Sequence, residues 1–203
     1  DALPILDMTD KETLRKRILA VRKGLDEETK KRLGRIICQK LLDSSLYKEA
    51  KTVMSYMDFR NEAPTEVLNR ACLSDGKNLL LPYCIDDKNM HAVKAELLPD
   101  ESFTDRFGIR VPKNALEYVW DPKRIDLLVV PGVVFNRKCY RIGYGKGFYD
   151  RFLTLVKPDC IKVGFAYEFQ IVDDHFQRDY DIPTDILISE KRVYYNENSG
   201  VGL

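Results

Sequence analysis

Two histidines, one tryptophan and an odd set of five cysteines leave this 203-residue sequence short of several common chemistries. His91 and His175 stand far apart and read as surface or loop residues, which leaves little material for histidine-based catalysis. Cys38, Cys72, Cys84, Cys139 and Cys160 are widely spaced with no CxxC pair, so reduced thiols are expected rather than a disulfide framework or a zinc site. No apolar run approaches the roughly 20 residues of a membrane span, and the first residues lack a signal-peptide pattern. A cytoplasmic protein with no membrane partner is therefore expected. Lysine and arginine (33) nearly cancel aspartate and glutamate (32), which removes any global electrostatic case for nucleic acid and makes every anion site a local matter. With no internal repeat, low-complexity tract or long linker, residues 1–203 are expected to form a single domain.

What is present alternates between helical and strand patterns. Thr9-Asp10-Lys11-Glu12 fits a capping box, with Thr9 as N-cap. The helix it opens carries an apolar stripe of Leu14, Ile18, Val21 and Leu25, with Lys11, Arg15 and Arg22 on a neighbouring edge, and Gly24 closes it. Asp26 is expected to cap a second helix that turns Leu33, Ile36, Ile37 and Leu41 inward. Strands are expected over residues 52–57, 78–81, 91–98, 125–130, 161–166, 185–188 and 193–195, and a helix with Pro64 in its first position is expected to run to about Ser74. Strands separated by helices predict an α/β protein: a three-layer, Rossmann-like arrangement with a mostly parallel central sheet and helices on both faces. Ligands in such sheets bind beyond the carboxyl ends of the strands.

One stretch lies at that position. Arg141-Ile142-Gly143-Tyr144-Gly145-Lys146-Gly147-Phe148-Tyr149-Asp150-Arg151 follows the apolar run 125–130 and leads into a short helical pattern of Phe148, Phe152 and Leu155. Glycines let the backbone turn tightly and approach a ligand, and Arg141 and Lys146 add full positive charge. The spacing is neither the dinucleotide fingerprint nor a Walker loop. It suits a polyphosphate cradle with Asp150 facing a metal. Glycines also serve bare turns, Lys11 and Arg15 fit a solvated helix face, Asp150 suits a helix N-terminus, and Glu62 suits the start of the helix after Pro64.

Taken in order, the pieces resemble the 5-formyltetrahydrofolate cyclo-ligase family, also called methenyltetrahydrofolate synthetases. The resemblance runs through Lys11-x-x-Leu14-Arg15 with Arg22, Met57, Glu62-x-x-Thr65, Phe107-Gly108-Ile109-x-x-Pro112, Pro131-Gly132-x-x-Phe135, the glycine stretch, and Asp181-x-Pro183-x-Asp185-x-Leu187-Ile188. It covers nearly the whole chain, and the glycine stretch is its most specific section. It implies ATP- and Mg2+-dependent cyclisation of 5-formyltetrahydrofolate to 5,10-methenyltetrahydrofolate by a monomer whose partners are these small molecules and no nucleic acid.

By position, the resemblance implies that Lys11 and Arg15 reach the ATP phosphates and that Arg141, Gly143, Gly145, Lys146 and Gly147 cradle them. Asp150 and Asp181 would hold magnesium. Met57 and Glu62 would line the folate side, with Phe148 and Tyr149 between nucleotide and folate. Lys146, Tyr149 and Arg141 are the expected catalytic groups. Phe148 stands where a tyrosine is common, Asn136 where an aspartate is, Cys139 where a glycine is, and Val111 where a glutamate is. The tyrosine, aspartate and glutamate losses are expected near the folate pocket, where they would weaken or alter substrate binding, and Cys139 shares the loop of Asn136. Two other classes of function compete: a non-catalytic nucleotide- or RNA-binding protein on the same fold, and a sugar-phosphate isomerase or transferase on a related sheet.

Overall fold

The computed structural model describes the fold from residue 8 and side chains from residue 11. In chain order the elements are α1 (Met8–Lys23), α2 (Glu27–Leu42), α3 (Ser45–Glu49), β1 (Thr52–Met54), α4 (Glu66–Ser74), β2 (Asn78–Cys84), β3 (Met90–Ala95), β4 (Val119–Trp120), β5 (Leu127–Val130), β6 (Val134–Asn136), β7 (Arg141–Ile142), α5 (Phe148–Phe152), β8 (Ile161–Phe165), β9 (Ile171–Val172), β10 (Ile186–Ile188) and β11 (Val193–Tyr195). The central sheet has the order β11-β10-β8-β5-β1-β2-β3-β4. Its middle, from β10 to β2, is parallel, and antiparallel strands close each edge. The expected α/β class and mostly parallel sheet are both present.

Strand alternation divides the core. Leu127 and Val129 of β5 join Val53, Leu79 and Val163 against Ile37, Cys38 and Leu41 of α2 and Leu68 and Cys72 of α4. Leu128 and Val130 point the other way, to Met54, Leu80 and Phe152 of α5. Every residue of β5 is buried because both faces are covered, which is why it reads as an unbroken apolar run. The second face has a lighter helical cover than expected. Its one helix from that run is the five-residue α5, and a separate sheet of order β7-β6-β9 packs against Leu14 and Ile18 of α1. Its two- and three-residue strands are too short to leave a periodic signal.

Several local expectations change. The cap expected from Thr9 lies outside the described side chains, and α1 already includes Thr9. Val21 is exposed and Arg22 fully buried, so the buried row of α1 is Leu14, Ile18 and Arg22, spaced by four. Asp26 caps α2 through its side chain on the Thr29 N–H, but Ile36 faces outward. Pro64 precedes Thr65, the N-cap of α4, rather than occupying the first helical position. β1 ends at Met54, and Leu155 is exposed beyond α5.

Phe135 of β6 joins the two sheets. A Cβ at Gly164 in β8 would lie 2.9 Å from the Phe135 ring and 3.0 Å from a Leu187 methyl group, both fully buried. Gly164→Ala is therefore expected to overpack this contact and cost about 1–3 kcal/mol, measured as a lower denaturant midpoint with an unchanged m-value.

Candidate active site

A cavity of about 330 Å3 lies beyond the carboxyl ends of β1, β2 and β5. One wall is the segment after β1, which contributes Tyr56, Met57, Phe59, Arg60 and Glu62. A second is the glycine loop between β7 and α5, Lys11 and Arg15 of α1 form a third, and Pro82, Cys84, Met90, Phe107 and Ile109 line the rest. All thirteen residues anticipated for the site line this one cavity: Lys11, Arg15, Met57, Glu62, Arg141, Gly143, Gly145, Lys146, Gly147, Phe148, Tyr149, Asp150 and Asp181.

The loop takes its shape from left-handed backbone at Gly145 (φ 100°) and Gly147 (φ 71°), conformations that strain any residue with a Cβ. Arg15 Nε donates to the Gly143 carbonyl at 2.8 Å, so α1 is tied to the loop's first turn. Arg151 supports the other end, donating from Nη2 to the Lys146 carbonyl at 2.9 Å and from Nε to the Lys88 carbonyl at 2.8 Å. Since α5 has only five residues, a helix dipole adds little. The positive character of the loop rests on side chains.

Arg141 is a deeply set cation, with its side chain 6% exposed. Nη2 meets Asp150 Oδ1 at 3.2 Å and Nη1 meets the Pro131 carbonyl at 3.4 Å, while Nε has no partner among the described residues. Burial pulls its pKa down, opposed chiefly by Asp150. Lys11 Nζ lies 3.6 Å from Asp181. Lys146 Nζ stands 5.1 Å from the centre of the Phe107 ring, which packs edge-on against Phe148.

Glu62 has the opposite character. Its residue is 7% exposed; Oε2 accepts from the Phe59 N–H at 2.9 Å and Oε1 from the Tyr144 hydroxyl at 3.2 Å. Burial pushes its carboxyl up to about 7, against the opposing pull of Arg22, the Phe59 N–H and Tyr144. Nearby, the Tyr149 hydroxyl is buried without a hydrogen-bond partner among the described residues, and desolvation raises it far above an ordinary phenol. Such orphaned and shifted groups concentrate where a ligand is handled.

Of the four departures, only Phe148 reaches the cavity. Asn136 is a buried loop brace: its amide donates to Gln177 Oε1 and the Asp174 carbonyl, and its oxygen accepts from the Lys138 and Tyr140 N–H groups. Cys139 is buried at φ 70°, which accounts for a glycine being the easier residue there. Val111 borders a separate surface hollow with Tyr83 and Phe103. Asn136 and Val111, expected near the folate pocket, thus lie away from this cavity, as does Cys139. Sequence reasoning also gave no role to Tyr144, Arg151 or Phe107, although each lies inside a quoted motif, and it put Arg22 on an edge beside the apolar stripe of α1 rather than inside.

Comparison with known proteins adds a second line of observation. Residues 7–190 match the model of the 5-formyltetrahydrofolate cyclo-ligase family. A 5-formyltetrahydrofolate cyclo-ligase of Mycoplasma genitalium is 30% identical over 184 residues, covering 89% of this chain and 98% of that protein. The Haemophilus influenzae enzyme of the same name is 29% identical over 181 residues, covering 88% and 97%. Among solved structures, the 5,10-methenyltetrahydrofolate synthetase of Aquifex aeolicus superposes with a TM-score of 0.80 at 33% identity, covering 95% of each chain. That of Mycoplasma pneumoniae gives 0.72 at 28% identity, covering 89% of this chain and 99% of its own.

Proposed function

Since this chain belongs to the 5-formyltetrahydrofolate cyclo-ligase family, a family of ligases, we propose that its cavity aligns the formyl oxygen of 5-formyltetrahydrofolate with the γ-phosphate of ATP. The observation that carries this reading is the meeting, in one cavity, of a cation-rich glycine loop and the buried carboxyl group of Glu62. A formamide oxygen is a poor leaving group, so nitrogen 10 cannot displace it directly. Attack of that oxygen on the γ-phosphorus breaks the bond to ADP and forms an O-phosphorylated iminium. Nitrogen 10 then bonds to the formyl carbon, loses its proton, and phosphate departs with the former formyl oxygen. The products are 5,10-methenyltetrahydrofolate, ADP and phosphate.

Little covalent work falls to the protein; alignment and charge stabilisation do most of it. Arg15, Lys146 and the buried Arg141 supply positive charge for the phosphates, and Lys11 supplies it from the same helix as Arg15. Glu62, with two acceptor oxygens, suits the adjacent N–H donors of a pteridine edge, and Met57 offers an apolar contact beside it. Phe148 and Tyr149 lie between the two ligands in this reading. The Tyr149 hydroxyl has its hydrogen bond still to give.

Asp150 and Asp181 are the carboxylates in this cavity beside the phosphate cations. Among the described residues no group of three or more acidic, histidine or cysteine side chains offers an all-protein metal cage. Two carboxylates completed by substrate phosphate oxygens fit magnesium, which favours that mixed coordination. Bound there, Mg2+ would neutralise charge developing on the transferred phosphoryl group. We propose a monomeric protein of a single domain acting on these small molecules.

The decisive assay mixes purified protein, 5-formyltetrahydrofolate, ATP and Mg2+ and follows methenyl absorbance. An ATP-dependent rise is expected, and nucleotide binding without product would overturn the catalytic reading. Asp150→Asn is expected to raise the Mg2+ concentration needed for half-maximal rate by about tenfold or more, with partial rescue at high Mg2+. An unchanged Mg2+ dependence would remove Asp150 from the metal site.

A further inference from the structure

Arg22 heads the fully buried side chains by volume, and it does not line the cavity. A leucine would extend the Leu14–Ile18 row of α1 at far lower desolvation cost, so the charge calls for a reason. Its guanidinium is committed to two places. Nε donates to the carbonyl of Arg60 at 3.0 Å, and Nη2 donates to the hydroxyl of Tyr144 while the guanidinium stands 5.5 Å over that ring. Tyr144 in turn donates to Glu62 Oε1 at 3.2 Å. Arg60 and Asn61 both have left-handed backbone, and Asn61 donates to the Arg22 carbonyl at 3.1 Å, so the turn carrying Glu62 is held from α1 on two sides.

We propose that Arg22 is a positioning residue: it holds the Tyr144 hydroxyl and, through it, the Glu62 carboxylate in the orientation that meets the folate. This rests on the reading of Glu62 as the pteridine contact. The chain Arg22–Tyr144–Glu62 also joins the helix bearing Lys11 and Arg15, the glycine loop and the segment after β1, which form three walls of the cavity. Around Glu62 the charged and titratable groups are Arg22 from α1, Tyr144 from the loop, Tyr149 from α5, Tyr167 after β8, and Tyr56 and Asp58 on its own segment. Arg22 is the cation of that set, and Tyr144 is the member whose hydroxyl reaches the carboxylate. Removing either favours the protonated form.

The test uses the full chain and compares Arg22→Gln, Arg22→Lys, Tyr144→Phe and Glu62→Gln in the methenyl assay, with far-UV circular dichroism as a fold control. Arg22→Gln and Tyr144→Phe should each raise KM for 5-formyltetrahydrofolate by about tenfold and leave KM for ATP within about twofold. Both should move the acidic limb of the kcat/KM profile to higher pH. Arg22→Lys keeps the charge without the fork; it should hold the limb near wild type while folate KM still rises. A merely structural Arg22 predicts folate and ATP constants rising together with an unmoved limb, and that result overturns the proposal. Should Arg22→Gln fail to fold, Tyr144→Phe decides, because its side chain is partly exposed: a wild-type limb and folate KM there overturn the proposal. Glu62→Gln separates the two readings. If it keeps wild-type folate KM, the pteridine reading falls and this proposal with it; if it is impaired while Tyr144→Phe is silent, only this proposal falls.

Discussion

Replacing Arg141 by methionine is expected to lower turnover about a thousandfold while leaving the protein folded. The guanidinium sits at the cavity with its side chain 6% exposed, where water screens it weakly, so in the proposed reaction its field on the transferring phosphoryl group would be strong. Arginines serving phosphoryl transfer are worth about 10³–10⁵ in rate, and the lower end applies where Arg15 and Lys146 remain. The fold should tolerate the change. Methionine replaces the aliphatic stem, and the abandoned Asp150 is 68% exposed, so no buried charge is stranded. Arg141→Lys should fall between, since an ammonium keeps the charge but not the planar fork. The measurement is methenyl formation under saturating ATP, paired with equilibrium binding of 5-formyltetrahydrofolate, which should hardly move. Turnover within a few-fold of wild type would exclude Arg141 from the chemistry.

Glu62→Gln should make a poorer enzyme and a more stable protein at alkaline pH. Glu62 has an ordinary value of 4.5 and is pushed up to about 7 by burial in the folded chain. Between those values the native state holds a proton that the unfolded chain has released. Stability therefore falls as pH rises from 4.5 to 7, and above 7 the full deficit is present, on the order of 3 kcal/mol. Glutamine does not titrate, so the variant should melt higher than wild type at pH 8 and show no advantage near pH 4.5. Its kcat/KM for folate should drop about 10- to 100-fold with the loss of charge-assisted hydrogen bonds. Parallel melting curves across that pH range would show that Glu62 is not desolvated as described.

The sheet was legible because its central strands carry unbroken apolar runs, as Leu127–Val130 does in β5. The site was legible because the glycine stretch combines turn-forming residues with charge. What escaped was set by packing. Nothing in the periodicity of α1 separates Val21 from Arg22, and an apolar stripe prefers the valine. Only the neighbouring turn at Arg60 and the Tyr144 hydroxyl decide that the arginine goes inside. The β7-β6-β9 sheet was invisible for want of length, and Asn136 was placed by its motif alone, while its own amide faces Asp174 and Gln177.

Lys11, Arg15 and Arg22 belong to one uninterrupted helix, and this turns α1 into a ruler. At about 1.5 Å per residue, the backbone carrying Lys11 stands roughly 16 Å from that carrying Arg22. The distance between Lys11 at the cavity and Arg22 behind the Tyr144 hydroxyl is thus set by counting residues rather than by loop conformation. Inserting one residue between Arg15 and Arg22 would rotate the two groups about 100° apart, so no side-chain adjustment could restore both ends together. Length variation should be refused here, as in the loops that carry Glu62 and the glycines, and tolerated in loops away from the cavity.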